Sequence, residues 1–182
     1  AASYSIIATD ATGCTISTVI QVTQPTTLQL NTPTLVNPSC FGGTNGVITI
    51  TSSGGSGGVN YQILPGGQSN TLGIFAGLGA NTFTITATDV NACTATMTVT
   101  ITTPLQLVSN VTSQTPVSCF GGNNGSAIVS SAGGTGAVSY QLMPGNITSL
   151  TGSYSGLSAG SYTITATDAN LCTSSTIATI GT

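Results

Sequence analysis

Five cysteines and three aspartates carry whatever chemistry this chain can do. The cysteines are Cys14, Cys40, Cys93, Cys119 and Cys172, and the aspartates are Asp10, Asp89 and Asp168. There is no Lys, Arg, His or Glu. Two cysteines open near-identical octapeptides, SCFGGTNG at residues 39–46 and SCFGGNNG at residues 118–125. A cysteine followed by glycines invites three readings: a metal clamp, a redox centre and a phosphate loop. A zinc site takes about four ligands, and two cysteines without histidine fall short. A redox pair sits close in sequence at a helix N-terminus. A phosphate loop ends in Lys-Ser/Thr and leads into a helix, which GGTNG does not. With aspartate as the sole ionisable acid–base side chain besides Cys and Tyr, no general acid–base pair or activated serine can be assembled. The expectation is a non-enzyme with no metal site and no cofactor.

The spacing of these residues is more informative than their types. Cys14, Cys93 and Cys172 are separated by 79 and 79, and Cys40 and Cys119 also by 79. Asp10, Asp89 and Asp168 follow the same step, as do Tyr4, Phe83 and Tyr162, and Pro25 and Pro104. Internal repetition at a fixed period is the signature of a modular array. The repeat divides the chain into residues 1–24, the C-terminal strands of a partial module, and two full modules, 25–103 and 104–182.

Cys40 and Cys93 are 53 residues apart, and so are Cys119 and Cys172. Cys93 falls on the apolar phase of the alternation that follows it, so an inward position is expected. The simplest pairing is one disulfide per module, Cys40–Cys93 and Cys119–Cys172. In the chain-entropy model a loop of that length stabilises by about 4 kcal/mol, a useful staple for a module with a small core. Such bonds persist in oxidising compartments, so an extracellular location is expected. Cys14 has no partner on this scheme within the chain. Its partner is expected upstream, or in a neighbouring subunit that completes the partial module by strand complementation.

The elements that must position these residues are strands. Cys93, Ala95, Met97, Val99 and Ile101 alternate with Thr94, Thr96, Thr98, Thr100 and Thr102. Phe83, Ile85 and Ala87 alternate with threonines, and Tyr162, Ile164 and Ala166 repeat them. A period of two with β-branched outer residues predicts half-buried strands. Residues 59–63 and 47–52 predict two more. Glycine- and asparagine-rich stretches such as GGSGG and PGGQSN separate the runs as turns. No segment has a helical period, and many short strands imply an all-β sandwich. Asp89 and Asp168 open the turns TDVNAC and TDANLC, where an Asx-turn is the plain role. Calcium takes about six to eight oxygens, several of them carboxylates, and one Asp per module is too few unless neighbours contribute.

Composition excludes other partners. Without Lys or Arg nothing neutralises phosphates, so neither nucleic acid nor an anionic membrane surface is an expected partner. No run approaches the ~18 apolar residues of a membrane-crossing helix. Residues 1–8 lack a charged n-region, so a mature or internal fragment of a secreted protein is expected. Left alone, the first 24 residues would expose Ile6, Ile16, Ile20 and Val22. Asn110, Asn124 and Asn146 stand in N-x-S/T sequons and are candidate glycosylation sites. The absence of Lys and Arg also leaves trypsin nothing to cut.

The stretch SCFGGNNGSAIVSSAGGTGAVSYQLMPG followed by GLSAGSYTITATDANLCT resembles the SprB-type repeat of large Bacteroidetes surface proteins. The resemblance covers both modules and SYSIIATDATGCT in the tail. It implies Ig-like β-sandwich repeats in long cell-surface adhesins, some linked to gliding. The chain departs from the family where Ile63 and Leu142 replace a Trp of the Tyr strand. The glycine before the last cysteine is kept as Gly13 but becomes Ala92 and Leu171. At the corner before the penultimate strand, Tyr162 is placed to hydrogen-bond back to the loop as a tyrosine corner, which Phe83 cannot do.

Two functional readings follow. In one, the chain is a structural stretch of an extracellular fibre or surface adhesin, with modules joined head to tail through short Pro joints. Its partner is then more of itself, either the same chain continued or another subunit. In the other, the loops bind surface glycans, or the modules serve as accessory domains of a larger secreted protein. The lack of Trp and the few aromatics weigh against the second.

Overall fold

The computed structural model describes residues 1–182, all strands, turns and loops. In chain order the strands are β1 (Ala2–Thr9), β2 (Thr15–Val22), β3 (Gln29–Leu30), β4 (Thr34–Val36), β5 (Gly46–Thr49) and β6 (Ser52–Ser53). They continue with β7 (Val59–Leu64), β8 (Ser69–Asn70), β9 (Ile74–Leu78), β10 (Asn81–Asp89), β11 (Thr94–Ile101) and β12 (Val108–Thr115). The last are β13 (Gly125–Ala132), β14 (Ser139–Met143), β15 (Ile147–Ser149), β16 (Ser153–Leu157), β17 (Gly160–Thr167) and β18 (Thr173–Ile180). The chain is all-β, as its period-two patterning requires.

Two compact units are each assembled from separated stretches. The first is Ala1–Thr34, Thr49–Ile74 and Thr84–Thr98; the second is Leu35–Ile48, Phe75–Phe83 and Val99–Thr182. The second unit holds a sandwich of a three-stranded sheet, β12-β13-β16, and a four-stranded sheet, β15-β14-β17-β18, all neighbours antiparallel. This three-plus-four arrangement is Ig-like. Alternation decides what fills it. Ala127 and Val129 of β13, Leu142 of β14, Ile164 and Ala166 of β17, and Ala178 and Ile180 of β18 form one buried cluster. Each large aliphatic side chain there contributes about 1.5–3 kcal/mol through its burial. The tyrosine corner is present: the Tyr162 hydroxyl donates to Ser158 O at 3.1 Å.

In the first unit, β7 and β10 pair from Val59↔Asp89 to Leu64↔Thr84 and bury Tyr61, Ile63, Ile85 and Ala87. Two details recur in both halves. Ser52 Oγ and Tyr61 OH are 2.7 Å apart, and Ser131 Oγ and Tyr140 OH are also 2.7 Å apart. The Leu64–Pro65 and Met143–Pro144 peptides are both cis. The β1–β2 hairpin forms a two-stranded sheet of its own, with the register of β17–β18. Tyr4 faces Ile20 in one, and Tyr162 faces Ala178 in the other. Ile6, Ile16, Ile20 and Val22 are all exposed on it, as the residues alone imply.

One expectation changes where strands begin. Cys93 is not inward; its thiol is exposed. It belongs to the turn, and β11 starts one residue later. Burial on that strand's apolar phase becomes complete only at Val99 and Ile101.

Candidate functional site: cysteine turns and a docked octapeptide

The three aspartates organise three copies of one turn. Asp89 Oδ1 accepts the N–H groups of Asn91 and Cys93, each at 2.9 Å, and Oδ2 accepts that of Ser56 at 2.8 Å. Asp168 Oδ1 accepts from Asn170 at 2.8 Å and Cys172 at 2.9 Å, and Oδ2 from Thr135 at 2.7 Å. Asp10 Oδ1 accepts from the N–H groups of Thr12 and Cys14 and from the Thr12 hydroxyl. These are Asx-turns in which the carboxylate replaces a backbone acceptor. The carboxylates of Asp89 and Asp168 are buried and saturated with backbone donors, and no three Asp or Cys side chains converge as a metal site would need.

The donors hold all three carboxyls below the ordinary aspartate range. For Asp89 the Cys93 N–H is the foremost cause and outweighs the opposing desolvation. For Asp168 desolvation by burial is the largest single influence and pushes upward, but the N–H groups of Thr135, Cys172 and Asn170 together overcome it. For Asp10 the Thr12 hydroxyl leads. The residue before each cysteine has positive φ: Gly13 (88°), Ala92 (62°) and Leu171 (64°). Glycine is the unstrained choice there, and the two later turns keep the shape without it.

The disulfide pairing differs from the one expected. Cys40 is bonded to Cys172, with Cα atoms 5.6 Å apart and a sequence separation of 132, while Cys14, Cys93 and Cys119 are free and exposed. Neither Cys40–Cys93 nor Cys119–Cys172 is formed. The separation of 132 is the 53 of the expected pair plus 79, so the first octapeptide meets the Asp168 turn. The octapeptide itself is folded as a tight loop. Gly43 N–H donates to Cys40 O at 3.0 Å, and Asn45 ties the loop at its neck. The Asn45 Oδ1 accepts from Ser39 N at 3.2 Å, and its Nδ2 donates to Ser39 Oγ at 3.1 Å. The loop thus projects Ser39 and Cys40 onto the Asp168 turn, where Asn170 Nδ2 donates to Ser39 O at 3.0 Å. Within the second unit, Cys40 and Phe41 line a cavity of about 330 Å³ with Pro104, Leu107, Leu171 and Cys172.

Asn170, Asn45 and Phe41 shape this contact and were not singled out from the sequence. The signal available was their recurrence one period away, as Asn91, Asn124 and Phe120. Asn124 ties the second octapeptide as Asn45 ties the first, its Oδ1 accepting from Ser118 N at 3.1 Å and its Nδ2 donating to Ser118 Oγ at 2.8 Å. Its amide is therefore engaged in the loop that its sequon reading would have it leave. Asn146 accepts from Gln141 Nε2 at 2.6 Å, and Asn110 is exposed on β12.

The SprB repeat family matches residues 32–68 and 111–147. The chain carries SprB-repeat sequence in two places. Each matched segment contains one octapeptide and runs on through the Tyr strand to the cis proline. No curated protein matches the chain. Among solved structures it is similar to a C-terminal 282-residue fragment of intimin, crystallised with the intimin-binding domain of the translocated intimin receptor. Identity is 10%, the TM-score is 0.45, and the match covers 84% of this chain and 64% of the other. No helix is long and apolar enough to cross a membrane.

Proposed function

We propose that the chain is a structural stretch of an extracellular fibre or cell-surface adhesin, built from modules 25–103 and 104–182 stacked head to tail. Residues 1–24 supply the closing hairpin of another such module. The observation that carries this reading is the Cys40–Cys172 bond with its separation of 132. A covalent link from the octapeptide of one repeat to the turn of the next would hold the two together where a fibre under load needs it. The short Pro joint supports the same reading: Thr103 and Pro104 are half-buried, leaving little free linker. Solvent-facing threonines, in place of charge, suit a protein that works fixed at a surface.

Electron microscopy of the native surface material tests this. Strands of eight residues at ~3.3 Å each, with loops, give roughly 25–40 Å per module. Filaments with an axial repeat at that length or a small multiple are expected. Isolated globules on the surface would overturn the fibre.

A further inference from the structure

The Asp89 turn has the parts that receive an octapeptide at the Asp168 turn. In the first unit a cavity of about 290 Å³ is lined by Pro25, Leu28, Gly55, Asn91 and Cys93. One period on, Pro104, Leu107, Gly134 and Cys172 line a cavity together with Cys40 and Phe41 of the octapeptide, and Asn170 Nδ2 donates to Ser39 O. No octapeptide residue contributes to the wall of the first cavity, and its cysteine is free and exposed. The chain also carries an unused octapeptide. Cys119 is free and exposed, and Phe120 is 96% exposed, against 57% for the docked Phe41. Gly122 N–H donates to Cys119 O at 2.9 Å, so this loop has the same turn as the docked one.

We propose that the 118–122 loop of one molecule docks on the Asp89 turn of a second copy of this chain, with Asn91 Nδ2 donating to Ser118 O and Cys119 bonded to Cys93. The surface is heterologous: the donor loop and the receiving turn are different patches, so the contact propagates head to tail. Cys14 is the weaker receiver. Its hollow is lined by hairpin residues alone, and Thr12 stands where Asn91 and Asn170 stand. Bond formation proceeds by exchange with a small-molecule disulfide such as oxidised glutathione. The thiolate of one cysteine attacks it and releases one glutathione thiolate. The second cysteine then attacks the mixed disulfide and releases the other. Two protein thiols and one glutathione disulfide give one protein disulfide and two glutathione thiols.

This inference rests on the fibre reading for its purpose and on the docked first octapeptide for its geometry. The test uses the full chain carrying Cys14→Ser, with either Cys93→Ser or Cys119→Ser added, in a glutathione redox buffer. These cysteines are exposed and unbonded, so serine leaves the fold intact, and thermal melts of each variant check this. Each variant alone is expected to stay monomeric. An equimolar mixture is expected to give a covalent dimer, at least tenfold above either alone, whose chymotryptic digest contains the Cys93–Cys119 peptide. Asn91→Ala in the receiving partner is expected to slow dimer formation severalfold. No dimer in the mixture, equal yields of Cys93–Cys93 or Cys119–Cys119 products, or indifference to Asn91→Ala would each overturn the proposal. So would an internal Cys93–Cys119 bond in the Cys14→Ser parent. Filaments in the native material alongside monomers here would leave the fibre reading standing without this contact; dimers here with globular native material would do the reverse.

Discussion

Replacing Cys40 or Cys172 by serine opens a ring that spans 132 residues. In the chain-entropy model, opening a ring of that size releases unfolded-state entropy worth about 5 kcal/mol at 25 °C. For a chain of this length each kcal/mol moves the melting temperature by about 2–4 °C, so the shift is about 10–20 °C downward. Both cysteines lie in the second unit, so the transition of that unit carries the loss. Cys40→Ser, Cys172→Ser and the double variant remove the same bond and should be equally destabilised. Cys93→Ser and Cys119→Ser remove exposed free thiols and should change stability by less than ~0.5 kcal/mol. The assay is thermal melting of the five variants under non-reducing conditions. The alternative pairing makes an opposite forecast: Cys93→Ser would then match Cys40→Ser, and Cys119→Ser would match Cys172→Ser, each losing a 53-residue ring. That grouping would refute the argument.

Acid should destabilise the fold through the turn aspartates. Their folded pKa values lie below the usual 3.8, so the unfolded chain binds more protons and stability rises with pH through that window. The contribution is present above 3.8 and lost as pH falls through the lowered folded values; pH-dependent melts check this, and Asp168→Asn should flatten the profile. Gly152 has φ 70°, and a Cβ there would overlap the carbonyl oxygen of Val129. Gly152→Ala should therefore cost more than ~2 kcal/mol in urea unfolding. Tyr162→Phe removes the corner hydrogen bond and should cost about 1 kcal/mol. Tyr154 is buried with a hydroxyl that has no protein partner, and Phe75 occupies its place one period earlier. Tyr154→Phe should leave stability unchanged or raise it by about 1 kcal/mol.

The strands were legible because threonine and aliphatic residues alternate without interruption, and alternation fixes which face is buried. Ile164, Ala166 and Ile180 sit where their phase puts them, and the β1–β2 hairpin keeps the register its Asp–Cys turn dictates. The Asx-turns were legible for the same local reason: an aspartate reaches the N–H groups two and four residues on without help from tertiary structure. Cys93 misled because phase was extended one residue past the end of a strand.

The pairing of the cysteines was not legible, and the repeat itself is the cause. In an array of period 79, a turn cysteine has an octapeptide cysteine 53 residues before it and another 132 before it. The two partners have near-identical sequence surroundings. Loop-closure entropy separates them by under 1 kcal/mol in the chain-entropy model, too little to choose. What chooses is the direction in which the octapeptide projects, set by the Asn45 tie and the turn between Cys40 and Gly43. That direction is a property of the folded loop and leaves no trace in residue spacing. The same tie holds the second octapeptide through Asn124, and Cys119 is free and exposed. Cutting the tie at one loop therefore separates the two causes. Asn45→Ala should weaken the Cys40–Cys172 bond toward reduction without touching the Asp168 turn. Finding that bond equally resistant to a graded glutathione titration would mean that the Asp168 turn alone selects its partner.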